Sequence, residues 1–378
     1  MRVRTPIRFR PTAVVFEMTE TTSGMAEAGP GPSTRRSATR EVDRLFARLP
    51  AIAFLLALPI AAVTPSFPVE IGLVAFAAGT LSVGMAHGAV DHLVPFRAAA
   101  SSLRRSIVVV SVVYAVLGGL VVVAFFLAPV AAFVGFVLLT WAHWGQGDVA
   151  ALTVAGVDHL RTPAERVLTG FVRGGLPMGV PLVAQPAEYR LVAEWVVGLF
   201  VVDAAAASAA VDPLFADVVR FGVGGAMAAA TLLSAVIGYG RVRQGASRRG
   251  WIRDVGETAV LWAWFVLAAP VFAVGVYFGA WHALRHVGRL ILVDERGAAA
   301  MARGEPGAAL VRFARDAAPL TLGGFLVVVA VALAVPAGVA SGGGLLAVSL
   351  VAIAALTLPH VAVVAWLDAE QGVWRAGR

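Results

Sequence analysis

Apolar runs of about 20 residues, each long enough to cross the hydrocarbon core of a bilayer as a helix, recur along this chain from Leu49 to Leu367. They predict helical spans near 49–64, 69–93, 106–127, 130–147, 166–184, 190–208, 216–238, 252–268, 270–293, 318–337 and 344–367. Ahead of them, residues 1–45 mix Arg, Ser, Thr, Pro and Gly without an apolar core and read as a disordered basic tail. The stretch 46–370 reads as a single transmembrane domain, since no linker in it is long enough to separate two, and 371–378 as a short cytoplasmic tail. The expected fold class is therefore an all-α polytopic membrane protein.

Polar positions between the runs orient them. Arg35, Arg36, Arg40, Arg44 and Arg48 precede the first span, Arg97, Arg104 and Arg105 follow the second, and Arg241, Arg243, Arg248, Arg249 and Arg253 separate the seventh from the eighth. Arginine bias of this kind marks the cytoplasmic side, so both termini are expected there and the localisation is the cell membrane. Three candidate segments then lie between Arg161/Arg166 and Arg241, where parity allows two. The segment 166–184, with Gly174-Gly175, Pro177 and Pro181, is the one expected to be interrupted, because broken backbone at membrane depth is tolerated where it is buried. The count becomes about ten transmembrane helices.

Composition agrees and narrows the chemistry. Of 378 residues 59% are hydrophobic and 14% charged, against about 25% charged in soluble domains. Cysteine is absent, which removes disulfides, thiolate metal sites and cysteine nucleophiles together; a metal would have to be held by His, Asp or Glu. Every Lys or Arg is an arginine, and because these are dispersed between spans the net charge of +7 fits an anionic lipid leaflet and not a nucleic acid.

Ionisable groups inside apolar segments are costly and are candidate functional groups for that reason. Six of the seven histidines, His87, His92, His143, His282, His286 and His360, lie in or at the ends of such segments. His282 and His286 are four apart, a spacing that stacks two imidazoles on one helix face and suits a metal ion. His87 lies ten residues before Arg97, His143 five before Asp148, His286 eight before Asp294 and His360 eight before Asp368; at about 1.5 Å per residue, all are within about 15 Å of the cytoplasmic face. Independent spans thus bring imidazoles to one layer, and neutral imidazole suits iron, zinc and copper. Asp91, four residues after His87, can accept from its outward N–H; His92, turned to another face, is a weaker ligand candidate that can still support the site. Asp148 and Arg285 are further candidates to support the site. His360, behind Pro359, is open between a fifth contact, a group supporting the ligands and a satisfied interior histidine. His159 reads as a solvated loop residue.

Taken together, Gly84-Met85-Ala86-His87-Gly88-Ala89-Val90-Asp91-His92, Ala142-His143-Trp144-Gly145 with Asp148, Tyr277-Phe278-Gly279-Ala280-Trp281-His282-Ala283-Leu284-Arg285-His286, and the late Pro359-His360 resemble the Brp/Blh family of membrane beta-carotene dioxygenases, over roughly 50–368. Ala86 and Trp144 stand where that pattern has Pro and Phe, and neither change removes a ligand. The resemblance implies non-haem iron(II) on His87, His143, His282 and His286, which makes 46–370 a catalytic domain and, with the depth read above, puts its metal site in the cytoplasmic half of the bundle. It further implies cleavage of the central 15,15' double bond of beta-carotene by dioxygen to two retinals, with a retinal-binding rhodopsin as the user of the product. A long apolar polyene would enter from the lipid bilayer into a tunnel for which Trp262, Phe265, Phe278 and Trp281 are candidate walls.

Other classes fit the pattern less well. Di-iron desaturases and hydroxylases need about eight clustered histidines, and an intramembrane metalloprotease needs H-E-x-x-H, which does not occur. A transporter predicts histidines spread across depth and an internal repeat. A non-enzymatic helper in retinal delivery remains as the alternative, although four retained ligands argue for activity.

Overall fold

The computed structural model describes residues 32–99, 101–337, 339 and 341–375, and among these it is helical throughout with no strand. The helices are α1 (Pro32–Ser66), α2 (Val69–Gly84), α3 (Leu103–Leu127), α4 (Pro129–Val154), α5 (Pro163–Ala184), α6 (Pro186–Gly198) and α7 (Ala204–Phe215). They continue as α8 (Asp217–Arg243), α9 (Arg248–Leu267), α10 (Pro270–Tyr277, Phe278–Ala283 and Leu284–Val293 in succession), α11 (Glu295–Ala302), α12 (Pro306–Ala334) and α13 (Gly342–Gln371). Six of them, α1, α3, α5, α8, α12 and α13, are long and apolar enough to cross a membrane. Their outward faces are apolar, as Leu56, Val218, Leu326 and Leu333 illustrate by their exposure.

Without a hydrophobic drive between helices in lipid, association rests on close backbone packing, which small residues permit. Gly79 of α2 lies against the carbonyl of Gly275 in α10, and Gly174 of α5 against the carbonyl of Trp141 in α4, so close that any side chain on Gly79 or Gly174 would collide with backbone. The second of these contacts bears on the course of segment 166–184. Segment 166–184 is not interrupted: α5 is one continuous helix that carries Pro177 and Pro181, and Gly174-Gly175 make room for α4 instead of breaking the backbone. The broken segment is 190–208, which divides into α6 and α7 around residues 199–203.

Two further expectations change. Residues 1–31 lie outside the described residues, but from Pro32 the expected tail is helix, with Ala38 and Val42 buried and Val42 and Phe46 against Gly288 of α10. The span expected over 69–93 leaves helix at Gly84; residues 85–90 form turns, followed by a 3-10 turn at Asp91–Leu93. His87 therefore sits on a helix-ending turn and not within a span.

Polar ends of separate elements meet. Arg97 is 3.6 Å from Asp294 and 2.5 Å from Asp316, Arg312 is 2.5 Å from Asp294, and Arg253 is 2.7 Å from Asp43. Arg97 and Arg253 are among the arginines that the sequence reading assigns to one face.

Candidate metal centre

Five histidines converge. His87 from the turn after α2, His143 from α4, His282 and His286 from α10, and His360 from α13 are each at most 8% exposed. The ring centroid of His87 is 6.4 Å from that of His143, 5.3 Å from His282, 5.5 Å from His286 and 4.9 Å from His360. Nε2 of His143 and Nε2 of His282 are 3.1 Å apart. Ligand atoms of His87, His143 and His360 lie within 4.8 Å of one another, as do those of Asp91, His286 and His360.

The local backbone explains how α10 aims two of these rings. Phe278–Ala283 is π-helical, a widened turn common at functional sites, and it holds His282 while His286 follows in ordinary α-helix. Gly147 faces His282 and Gly88 faces His360, so small residues leave space for both rings.

Hydrogen bonds behind three of the rings fix which nitrogen faces inward. His87 Nδ1 contacts the carbonyl of Gly84, His143 Nδ1 is 3.4 Å from Oε1 of Gln146, and His360 Nδ1 is 2.7 Å from Oδ2 of Asp91. Each partner is an acceptor, so each Nδ1 carries the proton and each Nε2 presents a lone pair, the arrangement a metal-binding imidazole requires. Nε2 of His286 and of His360 are buried with no hydrogen-bonding partner among the described residues. A cluster of buried neutral imidazoles with orphaned, inward-facing nitrogens fits a divalent transition metal, and the donor set is all nitrogen.

The supporting candidates are placed differently from the sequence expectation. Asp91 does not reach His87. That pairing assumed helix through 87–91, whereas the chain turns there, and Asp91 instead accepts from His360 and from the Tyr114 hydroxyl at 2.7 Å. His92 is half-buried and is not among the converging side chains; its carbonyl accepts from Ser106. Asp148 does not touch the histidines. It binds Arg173 at 2.8 Å, Arg285 at 3.3 Å and the Trp281 indole N–H at 3.1 Å. Arg285 also reaches Glu257 at 3.0 Å and stacks over Trp281 at 3.9 Å.

These contacts belong to a buried charge network that the sequence reading missed. Arg173, fully buried, joins Asp148, Asp254 at 2.9 Å and Glu257 at 3.1 Å. His159 belongs to it too: instead of being solvated it is 2% exposed and 3.0 Å from Asp254. The network ties α4 and α10, which supply three of the five histidines, to α5 and α9. A second chain of contacts holds His143 from behind: Gln146 donates to Asp368 at 2.9 Å, and Asp368 accepts from Arg289 and from Trp374, each at 2.7 Å.

A cavity of about 430 Å³ opens from the cluster, with His87, His143 and His360 in its wall. One arm follows α13 past Leu356, Ile353 and Leu350 to Leu346, fourteen residues or about 21 Å from His360 at 1.5 Å per residue. Phe278 and Val274 of α10 and Phe136 and Phe133 of α4 line the same cavity. Another set of wall residues, Met85, Val110, Tyr114, Leu320 and Gly324, belongs to the α3 and α12 side. Of the four aromatic residues expected in the tunnel wall only Phe278 is there. Trp262 donates to Thr231 at 3.1 Å, and Phe265 and Trp281 are fully buried in the packing of α9 and α10 against α1. Trp281 shares α10 with two of the histidines, whereas Trp262 and Phe265 lie on α9, which contributes neither a histidine nor a cavity-wall residue.

Residues 78–368 match the family model described as beta-carotene 15,15'-dioxygenase. The Blh protein of Halobacterium salinarum, described as a probable beta-carotene 15,15'-dioxygenase, is 41% identical over 356 residues, covering 91% of this chain and 99% of that protein. The Brp protein of the same organism, given the same description, is 32% identical over 327 residues, covering 81% and 86%. No solved structure matches the chain.

Proposed function

The chain belongs to the beta-carotene 15,15'-dioxygenase family, and from that premise we propose that it cleaves beta-carotene with iron(II) held by His87, His143, His282 and His286. The reaction breaks the central 15,15' double bond and adds one atom of dioxygen to each carbon, giving two molecules of all-trans-retinal with no other co-reactant. Iron, when bound, supplies a redox-active centre at which dioxygen is activated beside the polyene.

The protein's own residues set the conditions. Gly84 and Gln146 hold His87 and His143 in the tautomer with Nε2 free. Apolar walls from α4, α10 and α13 replace water around a hydrocarbon substrate that needs no charged recognition and can arrive from the bilayer. The reaction moves no proton, and the cavity accordingly presents the histidines as bases locked behind hydrogen bonds instead of a free acid–base pair. Central cleavage follows from how far the α13 arm lets one half of the polyene extend past His360.

The same reading includes about ten membrane crossings, both termini on the cytoplasmic side of the cell membrane, and a retinal-binding rhodopsin as recipient of the product. The observation that carries it is the convergence of buried imidazoles on an apolar cavity in a chain of this family. A transport path would spread such groups along the membrane normal. Expression in carotene-producing bacteria should bleach the orange colour and yield extractable retinal; unchanged carotene with the protein in the membrane would overturn the reading.

A further inference from the structure

His360 shares every feature that qualifies His87 and His143 as ligands. It is 4% exposed, and its ring centroid is 4.9 Å from both of theirs and 5.1 Å from that of His286. Its Nδ1 is committed to Asp91, so its Nε2 is the lone-pair nitrogen, and that atom has no hydrogen-bonding partner among the described residues. An interior histidine satisfied by its surroundings would use both nitrogens. A histidine that supports another ligand would accept that ligand's Nδ1–H, yet those of His87 and His143 are already paired with Gly84 and Gln146. What remains for Nε2 of His360 is the centre of the cluster.

We propose that His360 is a fifth ligand of the metal, with Asp91 and Tyr114 as the pair that positions it; this rests on the iron reading above. Two imidazole nitrogens about 2.1 Å from one ion can be up to about 4.2 Å apart, and the ligand atoms of His87, His143 and His360 already lie within 4.8 Å of one another. The three residues are therefore close enough for side-chain movement to let one ion gather them. Space for the ring is provided by Gly88, where a Cβ would come within 3.1 Å of His360 Nδ1.

The support behind this ligand differs in charge from that behind His87 and His143. Asp91 is 1% exposed and is a carboxylate bonded directly to a ring of the cluster, whereas His87 leans on a backbone carbonyl and His143 on a neutral amide. A carboxylate behind an imidazole raises its basicity as a ligand. The Tyr114 hydroxyl donates to the same Oδ2 and holds the carboxylate in place. His360 would then be more electron-donating than His87 or His143.

Cobalt(II), whose visible spectrum reports coordination number, is the probe for purified full-length protein in detergent. Wild-type protein should bind cobalt, and His360→Ala should bind it more weakly, with bands of a lower coordination number that added imidazole returns to the wild-type form. Asp91→Asn, which keeps the shape of the support but removes its charge, should lower affinity by about 10 to 100-fold. A His360→Ala protein with wild-type affinity and spectrum would overturn the proposal while leaving the iron reading intact. If that variant does not reach the membrane, unchanged affinity and spectrum in Asp91→Asn overturn it instead. Wild-type protein that binds neither cobalt nor iron would remove the iron reading itself.

Discussion

Nε2 of His143 and Nε2 of His282 face each other across 3.1 Å. With the His143 proton held on Nδ1 toward Gln146, two bare lone pairs at that distance would repel, so in the metal-free protein a proton has to lie between them. A metal ion in that place requires the proton to move to Nδ1 on the far side of His282, which leaves both imidazoles neutral. Metal binding should therefore release no proton from this neutral pair at neutral pH, and weaken only as pH falls far enough for protons to compete with the ion for the same nitrogens. Isothermal titration with cobalt(II) at neutral pH in buffers of different ionisation enthalpy measures any release directly; a heat that changes with the buffer would contradict this account of the pair.

Single alanine substitutions at His87, His143, His282 and His286 should each lower bound iron and retinal formation by more than the 10 to 100-fold typical of changes behind a ligand. His159→Ala is the control that separates metal loss from general damage. It removes the partner of Asp254 and should lower the melting temperature, yet the protein that remains folded should carry iron at the wild-type ratio. Iron per purified protein and melting temperature, measured on all five, distinguish the two effects. Full iron in both His282→Ala and His286→Ala would mean that α10 is not a metal helix.

How much of this was legible in the sequence depends on which residues are asked. The five converging histidines could be picked out because polar groups in apolar runs are rare, and their distances to nearby charges placed them in one layer. Backbone geometry was harder to read. Gly174-Gly175 with Pro177 and Pro181 looks like a break, and only the presence of α4 against those glycines turns the same residues into a packing surface. Asp91 was assigned to His87 on an assumed helical spacing that the turn after Gly84 removes. Trp262, Phe265 and Trp281 were assigned by proximity in sequence, which does not say which face of a helix meets a cavity. Arg173, Asp148, Asp254 and Glu257 carried a usable signal, since each is a charge in or beside an apolar run; only their mutual pairing required the fold.

That pairing makes a prediction of its own. Arg173 is fully buried and faces three carboxylates. Removing one partner of a buried ionic group leaves uncompensated charge and costs about 3–5 kcal/mol. Arg173→Leu should lower the melting temperature sharply, and it should loosen α4 from α10 so that iron is lost at temperatures the wild type tolerates. Arg173→Lys, a point charge without the planar fork, should fall between the two. Wild-type melting and iron retention in Arg173→Leu would show that the network contributes little to the centre.

The α13 arm of the cavity gives the last prediction. If the central double bond lies at the histidines, one half of beta-carotene extends toward Leu346, and Leu350 lies on the way, ten residues or about 15 Å from His360. Leu350→Trp would fill the arm where the end ring has to sit. Overpacking of that order costs about 1–3 kcal/mol, which predicts cleavage of beta-carotene slower by about five- to 150-fold. A shorter polyene aldehyde whose chain ends before Leu350 should react at close to the wild-type rate, and Leu350→Ala should keep central cleavage of beta-carotene. Any residual product of the tryptophan variant should include aldehydes of unequal length, because a polyene that cannot reach its full depth presents a different double bond to the centre. Unchanged rate with retinal as sole product, in a variant properly inserted in the membrane, would show that this arm does not set the position of the cut.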